Sequence, residues 1–239
     1  MSVKLVAFDL DGTLTQHKTP LEEKNRNVLL RLAEKYRLVM VGAGSCTRIY
    51  KQMNEFPIDI IGNYGMQFAE YNHETKELEI KKNEFAPVDR EEILRRASLI
   101  REKYNLHDFA GNTMEFHESG LLTFPVLGTT ADIKDKLAYD PDKKKRRAMY
   151  PYVKELFYDY NVVIGGTSSF DIIPGEYGKY NSLMRYASEH NFSKDETVYC
   201  GDDYFPGGND NDVYSSGIRF IIIDEYTNFQ NIIENSGLL

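Results

Sequence analysis

The stretch KLVAFDLDGTLT, residues 4–15, decides the fold. Its first five residues are almost continuously apolar, the pattern of a parallel strand covered on both faces. The strand then closes on two aspartates, Asp9 and Asp11, and runs into Gly12. Ligands of open parallel sheets bind beyond the carboxyl ends of the strands. A carboxylate pair at such an end is either a capped, Asp-rich turn or a place where charge holds a metal and does chemistry. Asp-x-Asp-Gly alone leaves both readings open.

Outward from this strand, β and α patterns alternate. LEEKNRNVLLRLAEKY places Leu21, Val28, Leu29, Leu32 and Tyr36 on one side of a helical period. RLVMVGAGS reads as a second strand, TRIYKQM as a second helix and IDIIG as a third strand; MQFAEYN and ELEIKK form a hairpin about NHETK. Such a β-α-β-α-β series favours a parallel sheet. The middle changes character. DREEILRRASLIREKY predicts a helix, and NTMEFHES with LLTFPVLG a strand pair. After a polar gap, DPDKKKRRAMYPYVKELFYDY predicts another helix and NVVIGGT with SFDIIPG another strand pair. From residue 179 the alternation resumes with KYNSLMRYASEH, ETVYCGD, NDNDVYSS and IRFIIID. The predicted fold class is α/β: a Rossmann-like parallel-sheet core over residues 1–85 and 178–239, with an inserted α+β unit carrying an antiparallel sheet over 86–177.

The 239 residues carry 29 basic and 37 acidic side chains, a net charge of −8. That balance argues against nucleic acid or an anionic membrane as the main partner, while a local site for a phosphorylated molecule stays compatible with it. Two cysteines, Cys46 and Cys200, make no disulfide framework and fit a reducing compartment. The apolar run near the N-terminus is too short for a signal peptide, and no run reaches the length of a membrane span, so a cytoplasmic location is expected.

Four pieces carry chemistry. In FDLDGTLT, Asp9 and Asp11 can offer a carboxylate and a backbone carbonyl to a hard cation, while Gly12 lets the next amides approach phosphate oxygens. In VGAGS, residues 41–45, Gly44 and Ser45 lie between a strand and a helix. There a hydroxyl and helix amides suit phosphate, although Ser45 as a plain N-cap is the commoner outcome. Lys179 opens a helix, against the dipole preference for cations; an anionic partner would explain it, and a solvated surface lysine is the ordinary alternative. In YCGDDYFPGGNDND, Asp202 ends a strand, and Asn209 and Asp210 close a Gly-rich loop that opens a short helix.

Taken together and in this order, these pieces resemble the haloacid dehalogenase superfamily of phosphoryl-transfer enzymes, with the middle block resembling that family's large, type-IIB α+β cap. GGTSSFDIIPGEYGK and GDDYFPGGND resemble, more narrowly, the eukaryotic-type phosphomannomutase branch. The resemblance implies that Asp9 is the nucleophile, forming an aspartyl-phosphate, and that Asp11 is the general acid and then base. It implies that Ser45 and Lys179 hold the transferring group, and that Mg²⁺ is bound by Asp9, the carbonyl of Asp11 and Asp202, with Asp210 as a further ligand or outer partner. Gly12, Gly44, Lys18, Asn209, His117, Ser169 and Asp171 are the implied substrate contacts. A homodimer formed through the cap is also implied.

The chain departs from that pattern in the cap. Where the resemblance implies arginines that grip the remote phosphate, this sequence has Ala110, His117 and a threonine, Thr129 or Thr130; Lys18 replaces a core arginine. An arginine offers a permanently charged bidentate fork that alanine and neutral histidine do not. The run Lys143–Arg147 is a candidate replacement, but reads better as a solvated helix face. Tyr150, Tyr152, Phe157, Tyr158 and Tyr160 read as cap packing. The expected function is therefore a Mg²⁺-dependent phosphatase of small phosphorylated metabolites, sugar phosphates foremost, with a phosphomannomutase-type mutase as the alternative. A catalytically idle binding module is disfavoured, because Asp9, Asp11, Lys179 and Asp202 leave no role vacant.

Overall fold

The computed structural model describes residues 2–239. The first block runs β1 (Leu5–Phe8), α1 (Glu23–Ala33), β2 (Arg37–Val41), α2 (Cys46–Gln52), β3 (Asp59–Gly62), β4 (Gln67–Asn72) and β5 (Glu77–Asn83). The middle contains α3 (Arg90–Lys103), β6 (Glu115–Phe116), β7 (Leu122–Pro125), α4 (Ile133–Tyr139), α5 (Lys144–Leu156), β8 (Tyr160–Val163) and β9 (Ser169–Pro174). The return consists of α6 (Lys179–Glu189), β10 (Thr197–Gly201), α7 (Asn211–Ser215), β11 (Arg219–Ile222) and α8 (Phe229–Asn235).

Two compact units result. One holds residues 2–83, Gly178–Phe205 and Asp210–Leu239; the other holds Glu84–Tyr177 and Pro206–Asn209. The sequence reading gives 206–209 to the first block. The loop instead groups with the second, where the Ile164 amide donates to the Gly207 carbonyl at 2.7 Å.

In the first unit a seven-stranded sheet runs β11-β10-β1-β2-β3-β4-β5, parallel from β11 to β3 and antiparallel through the β4–β5 hairpin. Alternation along the strands explains their unbroken apolar runs. Val6, Phe8, Met40, Ile60, Val198 and Cys200 pack with α1, α2 and α8 through Leu29, Ile49, Phe229 and Ile233. Leu5, Ala7, Val39, Ile61 and Tyr199 pack with α6 and α7 through Leu183, Ala187 and Val213. The parity that puts Leu5 and Ala7 on the α6 side aims the next odd residue, Asp9, at the start of that helix.

The second unit carries an antiparallel sheet, β6-β7-β9-β8. Leu122, Phe124, Phe170 and Ile172 meet Ile93, Ala97 and Ile100 of α3 and Met149 and Val153 of α5. Three expectations need correction here. The polar gap contains α4, capped by the Asp132 side chain accepting from the Lys134 amide at 2.8 Å. With Ile133 and Leu137 both exposed, it has no buried stripe to betray it. Tyr158 is 80% exposed and packs in no core, unlike Phe157. Finally, the basic run is not uniformly solvated: Lys144 and Arg147 are exposed, but Arg146 is the largest fully buried side chain. In the first unit, α8 lies in a stretch the sequence reading leaves unassigned; Phe229 and Ile233, one turn apart, anchor it.

Candidate active site

Asp9 follows β1, and its amide donates to the Cys200 carbonyl of the neighbouring strand at 2.9 Å, which fixes the turn. Lys179 begins α6 and is fully buried, so the solvated-lysine alternative fails. Its Nζ donates to Asp9 Oδ1 at 2.5 Å and to Asp210 Oδ1 at 2.7 Å. Carboxylate oxygens of Asp9, Asp202 and Asp210 all lie within 4.8 Å of one another. One ammonium therefore faces three carboxylates. Burial, then repulsion from Asp210 and Asp202, pushes the Asp9 carboxyl well above its usual range. Burial, then Asp210, raises Asp202 to about 6. Burial opposes the charge on Lys179, but Asp210 and Asp9 outweigh it and hold the ammonium above its ordinary value.

The surplus of negative charge suits a cation. Among the described residues Asp9 Oδ2 has no hydrogen-bond partner, though it is buried, which is costly unless something else satisfies it. A hard divalent ion fits that oxygen beside Asp202. Asp210 fits a supporting role better than that of a ligand. Its Oδ1 accepts from Lys179 and from the Tyr199 hydroxyl at 2.6 Å; its Oδ2 accepts from the amides of Asp202 and Asp203 at 3.2 and 3.1 Å. Gly12, at φ +99°, passes so close to Asp202 that an added Cβ would lie 2.5 Å from its Oδ2. Only glycine fits both the backbone and the space.

Asp11 is partly exposed. Its Oδ1 accepts from the Lys18 amide at 2.8 Å and from Gln52 Nε2 at 2.6 Å. Lys18 thus contributes its backbone; the side chain is exposed. Ser45 caps α2, accepting from the Arg48 amide at 3.3 Å, and lies in the same unit as Asp9, with Gly44 just before it. Sequence reasoning missed Tyr199, Thr13 and Gln52. Thr13 donates to Asp202 Oδ1 at 3.1 Å. The odd-residue parity of β10 could have flagged Tyr199, because it shares a sheet face with Asp9.

The remaining expected contacts belong to the second unit. Ser169 Oγ donates to the Gly165 carbonyl at 3.0 Å; Asp171 Oδ1 accepts from Thr123 Oγ1 at 3.4 Å, and His117 Nε2 lies 3.0 Å from that same hydroxyl. Asn209 is half-buried at the end of the 206–209 loop. Ala110 and Thr130 are bound through their backbones, and Lys136 Nζ donates to the neighbouring Thr129 carbonyl at 3.1 Å. Three arginines of this unit are buried, and Arg96 of α3 is paired with Glu92 and Asp159. Arg101 donates to the carbonyls of Leu106, Pro125 and Val126, and burial pulls it down to about 10. Arg146 donates to the carbonyls of Gly165, Gly166 and Ser169 and to Asp140. All three guanidiniums are engaged within the unit.

Among solved structures, the fold resembles an N-terminally truncated, IMP-bound IMP-nucleotidase of Plasmodium falciparum (12% identity, TM-score 0.74, 98% of this chain and 68% of that one). It also resembles a haloacid dehalogenase-like hydrolase of B. subtilis (14% identity, TM-score 0.65, 99% of this chain and 100% of that one). Curated relatives include the phosphomannomutase of Saccharomyces cerevisiae, 26% identical over 221 residues, covering 88% of this chain and 84% of that protein. The phosphomannomutase of Dendrobium officinale is 29% identical over 228 residues, covering 89% and 85%. The model of the eukaryotic phosphomannomutase family matches residues 25–222. With that match spanning most of a haloacid dehalogenase fold, and with Asp9, Lys179 and Asp202 gathered in its core, the chain belongs to the eukaryotic phosphomannomutase family.

Proposed function

We propose that the protein is a Mg²⁺-dependent phosphoryl-transfer enzyme acting on sugar phosphates, with Asp9 as nucleophile. The observation that carries this reading is the buried Lys179 bridging Asp9 and Asp210 while Asp9 Oδ2 stays unpartnered. Lys179 orients the Asp9 carboxylate through one oxygen and offsets part of its charge. Attack on phosphorus forms the Asp9–phosphoryl bond and breaks the ester bond, and Asp11 gives its proton to the departing sugar oxygen. Asp11 then takes a proton from the acceptor hydroxyl as the phosphoryl group leaves Asp9. Ser45 and the α2 amides would bind phosphoryl oxygens. When bound by Asp9 and Asp202, Mg²⁺ would offset repulsion between carboxylate and phosphate and stabilise the charged transition state.

Two acceptors are in play. Family membership supports return of the phosphoryl group to a sugar hydroxyl, as in relatives named phosphomannomutase. A specific observation favours water as the acceptor. The second unit has Ala110, His117 and Thr129 or Thr130 in place of the implied arginines, and its buried Arg101 and Arg146 are tied to carbonyls. Lys136, on the Thr129 carbonyl, is a point charge rather than a fork. Weaker retention of a bisphosphorylated intermediate would let water reach the phosphoryl-enzyme.

The test is to supply a hexose 1-phosphate, Mg²⁺ and a hexose bisphosphate activator, following the 6-phosphate and inorganic phosphate together. The mutase reading expects interconversion to exceed phosphate release; the phosphatase reading expects the reverse. Absence of both products across a panel of hexose phosphates would overturn the assignment of sugar phosphates.

A further inference from the structure

Asp11 is held by a side-chain chain that the phosphoryl-transfer reading does not itself require. Gln52, the last residue of α2, donates from Nε2 to Asp11 Oδ1 at 2.6 Å and to Thr15 Oγ1 at 3.1 Å. Its Oε1 accepts from Arg48 Nη1 at 2.7 Å. With acceptors on one side and a guanidinium on the other, the amide has a single satisfactory orientation. Arg48 is held in turn by Gly44. The guanidinium fills the space where a Cβ on residue 44 would stand, 2.2 Å from Nε and Nη2. Tied to Gln52, Arg48 Nη1 stops 3.7 Å from Asp11 Oδ2, beyond hydrogen-bond reach, and His17 Nδ1 stops at 3.9 Å.

We propose that Gln52 is a positioning residue that sets which oxygen of Asp11 exchanges protons with the substrate. Oδ1 accepts from both Gln52 and the Lys18 amide, so its lone pairs are engaged. Among the described residues Oδ2 has no hydrogen-bond donor at comparable distance, and it is the oxygen that carries the proton to the leaving group and later receives one from the acceptor. The Gln52 amide also prevents the carboxyl from rotating, since a flipped Asp11 would place the protonated oxygen against two donors. Arg48, restrained by the Gln52 carbonyl, faces Oδ2 without capturing it.

This inference rests on Asp11 as the acid of the proposed function, and its test separates the two. A sugar alkoxide needs a proton to leave; p-nitrophenolate does not. Replacing Gln52→Met keeps the length of the side chain and removes both the donor and the acceptor. The expected result is a kcat loss of roughly ten- to hundred-fold on a hexose phosphate, part of what a general acid supplies. KM should change little, and the loss on p-nitrophenyl phosphate should shrink to about threefold or less. Equal losses on both substrates would mean that Gln52 merely supports the fold; no loss on the hexose phosphate would mean that it does not hold the acid. Either overturns the proposal. Should Gln52→Met fail to fold, Gln52→Leu, which also lacks the donor and adds no charge beside Asp11, carries the same expectation. A wild-type protein that turns over neither substrate would overturn the phosphoryl-transfer reading itself.

Discussion

Each unit of the molecule holds a fully buried cation, Lys179 in the first and Arg146 in the second, and the two are built differently. In the second unit Arg146 meets a single carboxylate, Asp140, at 2.9 Å, and its other nitrogens reach the carbonyls of Gly165, Gly166, Ser169 and Asp140 itself. Burial alone would raise the Asp140 carboxyl. Hydrogen bonds from the Arg146 and Lys145 amides and from the guanidinium instead hold it below its usual value. In the first unit Lys179 meets two carboxylates with a third close by, and the Asp9 carboxyl is held above its usual value with one oxygen unpartnered. A satisfied buried pair is architecture. A pair with surplus negative charge and an unpartnered oxygen is suited to a cation and to chemistry.

That contrast predicts opposite consequences for the two cations. Lys179→Met should lower kcat roughly a thousand-fold or more, because it removes the group that orients Asp9 and faces the transferring charge. A loss below tenfold would put the nucleophile's orientation elsewhere. Arg146→Met should instead act through stability, costing about 3–5 kcal/mol by leaving Asp140 buried and unpaired. Chemical denaturation of the second unit would check it; a full-stability variant would show that the carbonyl cradle holds without its guanidinium.

Acid should separate the units next. For metal-free protein in chelator, Asp202 has a folded pKa of about 6 against an ordinary 3.8. The folded state therefore binds the proton more tightly between those values, and stability should rise as pH falls from 7 towards 4. Asp140 is depressed, so its contribution is present above 3.8 and lost as pH falls below it. Melting curves from pH 7 to 3 should rise and then fall, and added Mg²⁺ should flatten the rise by competing with the proton. A monotonic decline from pH 7 would contradict the surplus-charge account. The smallest effect belongs to Tyr199→Phe, which removes one donor from Asp210 and should cost about 1–2 kcal/mol.

How much of this was legible beforehand follows the same division. The core strands were readable because both faces are buried, leaving near-continuous apolar runs such as KLVAF, and Asp9, Asp11 and Lys179 were marked by position at strand and helix ends. α4 was not readable, because a helix with no buried residue leaves no period in the sequence. Arg146 was hidden inside a run of five basic residues, where nothing distinguishes the one that turns inward. Gln52 and Tyr199 act through contacts 41 and 11 residues away in sequence, which only the folded chain reveals.

The most direct test of the account is to find the phosphoryl group on Asp9. Quenching the Mg²⁺-loaded enzyme in acid during turnover of a labelled hexose bisphosphate, then mapping peptides, should yield a hydroxylamine-sensitive acyl phosphate on the peptide containing Asp9. Asp9→Asn should fold normally and carry none. Label retained by Asp9→Asn, or found on Ser45 in place of Asp9, would contradict the assignment of the nucleophile.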